Sequence, residues 1–232
     1  MKLALIGYGA MGQLVAKLAS EQGHEVVLTL DIEDSDRGVE DLADALRAGD
    51  VAIDFSVADT VPRNAEACAR AGVPLVVGTT GWQARVSEVR RLVTEHDGAL
   101  IYGANFSVGV QVFYRIAARA AELFRGLESY DAFIEEAHHK RKLDAPSGTA
   151  LHLRNIVAEG LNRDVPATST RAGYIPGTHS LGFDSVADQI TLTHTARSRE
   201  GFAAGALVAA GWIIGRKGVY EFSEVFDEII GS

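Results

Sequence analysis

Residues 4–19, ALIGYGAMGQLVAKLA, set a short apolar run directly ahead of Gly7, Gly9 and Gly12 and an amphipathic helical pattern directly behind them. This arrangement leaves few options: a buried strand, a tight glycine turn, and a helix folded back onto the strand. Gly7 permits the turn, Gly9 lets the backbone approach a pyrophosphate, and Gly12 lets helix and strand pack closely. The first helical N–H groups, around Ala10 and Met11, then face the anion. Asp31, nineteen residues after Gly12, ends the second apolar run. A carboxylate there accepts hydrogen bonds from the adenosine ribose and repels a 2′-phosphate, and the next residue is Ile32 rather than an arginine. NADH and NADPH are both candidate cofactors, with NADH favoured by Asp31. The competing interpretation is a ligand-free βα turn with Asp31 as a solvated loop acid.

The same rhythm continues through the first hundred residues. Apolar β-rich runs (KLALIG, EVVLTLD, VAIDFS, PLVVGTT, ALIYGAN) alternate with helical patterns at Met11–Gln22, Val39–Ala48, Thr60–Ala71 and Gln83–Glu95. Repeated βα units predict a parallel sheet covered by helices. Gly23, Gly49, Gly72 and Gly98 follow the four helical patterns, where a left-handed residue ends a helix at least cost. Beyond about Ser107 the order changes to a helix (GVQVFYRIAARAAELF), a strand (DAFIEEAHH), a helix after Pro146 and extended stretches ending in DQITLTHTARS. The expected fold class is α/β: a Rossmann-like doubly wound parallel sheet plus an α+β mixed-sheet domain. Residues 202–232 read as a helix and a short tail, which pattern alone assigns to neither domain.

Composition narrows the function classes. The 22 Lys and Arg against 31 Asp and Glu give a net charge of −9, which argues against a general nucleic-acid or anionic-membrane surface. No apolar run approaches the roughly 20 residues that span a bilayer. The most apolar helix, Phe202–Ile214, reads as broken by repeated glycine. A soluble protein is expected, with no targeting segment. The single Cys68 allows no intramolecular disulfide, fits a reducing compartment, and reads as a small buried helix residue.

Two later strand ends are rich in small and polar residues: Gly78-Thr79-Thr80-Gly81 and Gly103-Ala104-Asn105-Phe106-Ser107. Ligands of doubly wound sheets sit outside the carboxyl ends of strands. Gly78, Thr79 and Thr80 could lay a slim backbone against a flat ring, and Ala104, Asn105 and Phe106 could offer amide or carbonyl groups to a carboxamide. Ordinary strand-to-helix turns are the alternative for both.

Residues 135–150, EEAHHKRKLDAPSGTA, gather two His and three Lys or Arg into five consecutive positions of an acidic chain. Alternation weakens at the end of this strand, so several polar side chains are expected to leave the sheet for a loop. Pro146 ends that loop and Ser147 is placed to cap the next helix. The N–H groups of Gly148 and Thr149, with the Thr149 hydroxyl, would form an anion seat. Mutual repulsion among five neighbouring cations is a cost that a bound dianion would offset. A solvated basic loop beside a purely structural cap explains the spacing equally well.

This stretch resembles the signature E-x-H-H-x-x-K-x-D-x-P-S-G-T-A of the 4-hydroxy-tetrahydrodipicolinate reductase (dihydrodipicolinate reductase) family. GYGAMG, IDFS, VVGTTGW and GANFSVGV fall in that family's order, and PGTHSLGFDS with DQITLTHTARSREGFAAGAL resembles its C-terminal part, so the similarity covers nearly the whole chain. The resemblance implies NAD(P)H-dependent reduction of a small cyclic dicarboxylate in the diaminopimelate route to lysine. It also implies a dinucleotide-binding domain over 1–106 completed by 201–232, a substrate and oligomerisation domain over 107–200, a homotetramer and a cytoplasmic location. His138 and Lys142 match the catalytic pair, the first donating or relaying a proton and the second acting as general acid. His139, Ser147, Gly148 and Thr149 match positions that hold the substrate's carboxylates. No metal is implied. Neighbouring cations are expected to make Lys142 a readier acid. Lys140 and Arg141 are taken as local electrostatics, Asp144 as a loop orienter, and His179 and His194 as structural. The sequence departs from the family at SVADQITL, at Gln111, and in a compressed stretch after Asp31, which bears on cofactor preference more than on reaction type. Another two-domain nicotinamide dehydrogenase and a non-catalytic dinucleotide sensor remain as alternatives.

Overall fold

A computed structural model of the chain describes residues 1–34 and 36–231. Ser35, in the compressed stretch, and Ser232, at the end of the expected C-terminal completion, lie outside them. In chain order the elements are β1 (Lys2–Ile6), α1 (Ala10–Glu21), β2 (Glu25–Leu30), α2 (Val39–Leu46), β3 (Val51–Asp54), α3 (Val61–Ala71), β4 (Leu75–Val77), α4 (Val86–Glu95), β5 (Ala99–Tyr102), α5 (Val108–Phe124), β6 (Asp131–His138), α6 (Gly148–Leu161), β7 (Ala167–Arg171), β8 (Thr178–Asp184), β9 (Gln189–Thr195), α7 (Glu200–Ile213), β10 (Gly218–Glu221) and α8 (Phe222–Gly231). The chain forms two compact units, Met1–Ser107 with Glu200–Ser232, and Val108–Arg199. Among the described residues no helix is long and apolar enough to cross a membrane.

The first unit is a six-stranded sheet in the order β10-β5-β4-β3-β1-β2, every neighbouring pair parallel. Strands β1, β3 and β4 are buried along nearly their whole length, as a sheet covered on both faces requires. The order reverses between β1 and β3, which places a switch point at their carboxyl ends.

Three expectations need correction here. Residues 202–232 hold a strand and a second helix in addition to α7, because GVYE is too short to show alternation and becomes a strand only by pairing with β5 (Gly218 with Ala99, Glu221 with Tyr102). Helix α7 runs unbroken through its glycines: a Cβ at Gly205 would lie 1.7 Å from the Phe106 carbonyl oxygen, so glycine there marks close packing. Gly23 and Gly72 are left-handed (φ 76° and 71°), but Gly49 and Gly98 are not. Asp97 (φ 53°) takes the left-handed position after α4, while a Cβ at Gly98 would meet Ala69 Cβ at 2.8 Å.

The second unit is a four-stranded mixed sheet in the order β7-β6-β8-β9, with β6 parallel to β7 and antiparallel to β8. Helices α5 and α6 cover one face through Phe113, Ala117, Ile134, Leu153, Val157 and Phe183. Alternation along β6 does not fail as expected. Ala132, Ile134, Glu136 and His138 all point to the buried face, so the pattern continues with polar residues in place of apolar ones.

Candidate active site

The first unit builds its site at the switch point. Gly7 adopts φ +87°, and a Cβ there would sit 2.6 Å from the Phe55 carbonyl oxygen; a Cβ at Gly12 would sit 2.1 Å from that of Gly7. Gly9, by contrast, has nothing within 4 Å of its would-be Cβ, and no side chain caps the N-terminus of α1 that it begins. Beside it opens a cavity of about 190 Å³ lined by Gly7, Gly9, Asp31, Phe55, Arg63 and Asn64 among others. Slim backbone, an uncapped helix start and an exposed carboxylate suit a dinucleotide's pyrophosphate and ribose. The Asp31 backbone N–H donates to Asp34 Oδ2 at 3.0 Å, and its side chain is exposed.

The other two strand ends turn part of their predicted site inward. Gly78 is a seat for Phe55, whose ring carbon would lie 2.1 Å from a Cβ there. The buried Thr79 hydroxyl donates to Asp54 Oδ1 at 2.9 Å, whereas Thr80 is exposed. Phe106 is 2% exposed and packs its ring 4.6 Å from that of Phe222; Asn105 Oδ1 accepts the Ser107 N–H at 2.9 Å, and Ala104 is exposed. Side chains at 79 and 106 therefore serve the core, and the surface they offer is mainly backbone. Sequence reasoning missed Asp54, whose carboxylate also accepts from Ser56 (N–H 2.8 Å, Oγ 2.6 Å) and from Asn64 Nδ2 at 2.9 Å. Its signal was an acidic residue ending the otherwise apolar run of β3.

In the second unit the end of β6 carries a buried polar row. The Glu136 carboxylate accepts two bonds from Arg171 (Nη1 2.9 Å, Nη2 2.6 Å) and the Ser147 N–H at 3.2 Å, and it contacts His138 Nδ1. Burial pushes this carboxyl upward, but the Arg171 guanidinium and the other donors outweigh it and hold the group down at about 2. Burial lowers His138, against the opposing pull of Glu136. Ser147 caps α6 as expected, its Oγ accepting the Ala150 N–H at 3.2 Å.

His179, taken from sequence as a structural strand residue, sits inside this network. Its Nε2 lies 3.0 Å from Ser147 Oγ, and its ring is 5.1 Å from that of His138. Burial pushes it down to about 4. His194, paired with it across β8 and β9, is lowered by burial alone. Glu136, His138 and His179 come together closely enough to resemble a metal triad. Arg171 already bonds both Glu136 oxygens and brings its own positive charge, so the cluster is organised as a hydrogen-bond network.

The expected crowd of repelling cations is also dispersed. His138 turns inward to Glu136, Lys142 Nζ pairs with Asp144 Oδ1 at 2.9 Å, and Lys140 and Arg141 are exposed. The nearest charge to Lys142 is thus a carboxylate, which Lys142 in turn holds below its ordinary range. His139 is half-buried, and its Nδ1 has no hydrogen-bond partner among the described residues. Gly148 is exposed and Thr149 half-buried at the start of α6.

Family profiles described as dihydrodipicolinate reductase, N-terminus, and dihydrodipicolinate reductase, C-terminus, match residues 1–106 and 109–226. The chain belongs to the dihydrodipicolinate reductase family. A 4-hydroxy-tetrahydrodipicolinate reductase of Christiangramia forsetii is 36% identical, with 99% of each chain covered. One from an Anaeromyxobacter species is 38% identical over 81% of this chain and 76% of its own. Among solved structures, the dipicolinate-bound dihydrodipicolinate reductase from Paenisporosarcina sp. TG-14 shares the fold of this reductase-family chain (TM-score 0.78, 21% identity, 97% and 99% covered). A probable dehydrogenase from Thermotoga maritima matches less closely (TM-score 0.58, 10% identity, 89% and 85% covered).

Proposed function

We infer that this protein is an NAD(P)H-dependent oxidoreductase that reduces 4-hydroxy-tetrahydrodipicolinate to tetrahydrodipicolinate in the diaminopimelate route to lysine. The observation that carries the site assignment is Glu136, which bonds both His138 and the backbone N–H that begins α6. It joins a proton-handling imidazole to a helix N-terminus suited to carboxylates.

Gly7, Gly9, Ala10, Met11 and Gly12 would hold the dinucleotide's pyrophosphate, with Asp31 on the ribose and the backbone around Gly78, Thr79, Thr80, Ala104, Asn105 and Phe106 beside the nicotinamide. Once the substrate's 4-hydroxyl has left as water with a neighbouring ring proton, a conjugated, imine-containing ring remains, to which the reduced nicotinamide would supply a hydride when bound. Negative charge then develops toward the ring nitrogen, and Lys142 Nζ, an ammonium held by Asp144, gives the proton. His138, kept neutral by burial, relays it. His139 and the N–H groups of Gly148 and Thr149 hold the carboxylates. Ser147 contributes by holding that helix start in place, because its hydroxyl is taken up by Ala150 and His179.

Asp31 favours NADH over NADPH, while Asp34 in the same turn is paired with Arg37 Nε at 2.8 Å and adds little repulsion of its own. We assign self-association, as a homotetramer, to the sheet face of the second unit opposite α5 and α6, where Ser180 and Thr193 pair at 3.0 Å in an exposed hydroxyl row. A cytoplasmic location accords with the lone, buried Cys68.

The test is loss of the reduced nicotinamide's near-ultraviolet absorbance with substrate generated in situ from pyruvate and aspartate semialdehyde by the preceding synthase. Turnover by wild type and its loss in Lys142→Ala support the assignment. Nucleotide binding without turnover by the wild type would leave the fold and remove the reaction.

A further inference from the structure

Groups from two other segments and from β6 itself converge on one buried carboxylate of β6. Arg171 of β7 bonds both oxygens of Glu136, the Ser147 N–H at the start of α6 bonds Oε1, and His138 turns Nδ1 onto Oε2. The Glu136 side chain is 0% exposed and that of His138 only 11%. An ionised carboxylate only accepts hydrogen bonds, so the single ring proton of neutral His138 belongs on Nδ1. Nε2, at the opposite edge of the ring, then carries a lone pair. Gly177 (φ +139°) runs along that edge, and a Cβ there would come within 3.1 Å of Nε2. The charged and titratable groups facing His138 are Glu136 on its own strand, Arg171 from β7, His179 from β8 and Lys142 from the loop. Glu136 is the one anion among them.

We propose that Glu136 is a positioning residue of this reductase: anchored by Arg171, it fixes His138 as the Nδ1–H tautomer with Nε2 available for proton relay, and through the Ser147 N–H it registers that ring against the carboxylate seat of α6. The proposal rests on His138 and the α6 terminus acting in the reaction. A carboxylate that holds an imidazole in one tautomer acts without gaining or losing a proton itself.

The Glu136→Gln variant gives the proposal its sharpest consequence. Arg171 Nη2 and the Ser147 N–H converge on the Oε1 position and draw the amide oxygen there; the amide NH₂ then turns toward His138, and the Arg171 Nη1 bond at the Oε2 position is given up. Nδ1 must then accept, and the ring proton moves to Nε2.

Long-range proton–nitrogen NMR on histidine-labelled protein at neutral pH reads this directly. The expected result is Nδ1–H at His138 in the wild type and Nε2–H in Glu136→Gln. In the variant kcat should fall roughly 10–100-fold, the usual effect of removing a group that orients a functional imidazole, while NADH affinity stays within about twofold because the glycine turn is untouched. A wild-type His138 protonated at Nε2 overturns the proposal without any variant having to fold. Undiminished kcat in Glu136→Gln overturns it as well, and leaves Lys142 and His138 in their roles. Undiminished kcat in His138→Asn instead removes His138 from the reaction, and the positioning proposal falls with it.

Discussion

Lys142 and Asp31 stand on the surface of their units, and their chemistry can be tested one side chain at a time. Lys142 is held 2.9 Å from Asp144, so Lys142→Ala removes the proposed general acid without opening the core. Steady-state kinetics should show kcat lower by roughly 10²–10⁴, with NADH affinity little changed. Unaltered kcat would exclude Lys142 as the acid. Asp31→Ala should weaken NADH more than NADPH in calorimetric titration, since the variant loses the proposed ribose acceptor and a repulsion at once; equal losses would take Asp31 off the ribose. The cap Ser147 was legible, as were His138 and Lys142 as site candidates, because all three lie within one short stretch. Arg171 and His179 were not, because they reach Glu136 only through sheet register: Arg171 lies opposite His138 in β7, and His179 lies opposite Glu136 in β8.

Elements in this chain were legible where local pattern and tertiary packing agree. The five strands of the first hundred residues and the helices between them follow from apolar runs and glycine punctuation, and each was expected within a few residues of its bounds. Strand β10 was not, because four residues acquire strand structure only from the edge of β5. Glycines misled in the same way. In α7 they read as breaks, yet Gly205 is the point where the helix meets the Phe106 carbonyl. Gly205→Ala should therefore destabilise the first unit by about 1–3 kcal/mol, the usual cost of overpacking, despite alanine's better helix propensity. Urea unfolding followed by Trp82 and Trp212 fluorescence checks this, and a more stable variant would mean the contact yields without cost.

Acid sensitivity of the second unit belongs to the whole molecule's charge state. His179 is held at about 4 against an ordinary 6.5, so the unfolded chain binds the extra proton between those values. Its contribution is complete above about 6.5 and fades as pH falls toward 4. Glu136, at about 2 against an ordinary 4.5, adds a second window: its contribution is complete above about 4.5 and is lost as pH falls toward 2. Denaturant midpoints should thus decline in two stages, and His179→Gln should reduce the upper one, to which His138 and His194, also lowered by burial, contribute the rest. A midpoint constant between pH 6.5 and 4 would contradict the burial of His179. By itself the sequence determined the two-unit α/β plan, the glycine turn and the cationic loop before a helix cap, since periodicity, glycine placement and capping are local properties of the chain. Only the tertiary structure decided that the end of β6 stays in the sheet as a buried Glu136–His138 pair, that Thr79 and Phe106 turn into the core, and that His179 joins the cap of α6. Each of these depends on which strands become neighbours and in what register, and hydrogen bonds between residues more than thirty positions apart leave no periodic trace in the sequence.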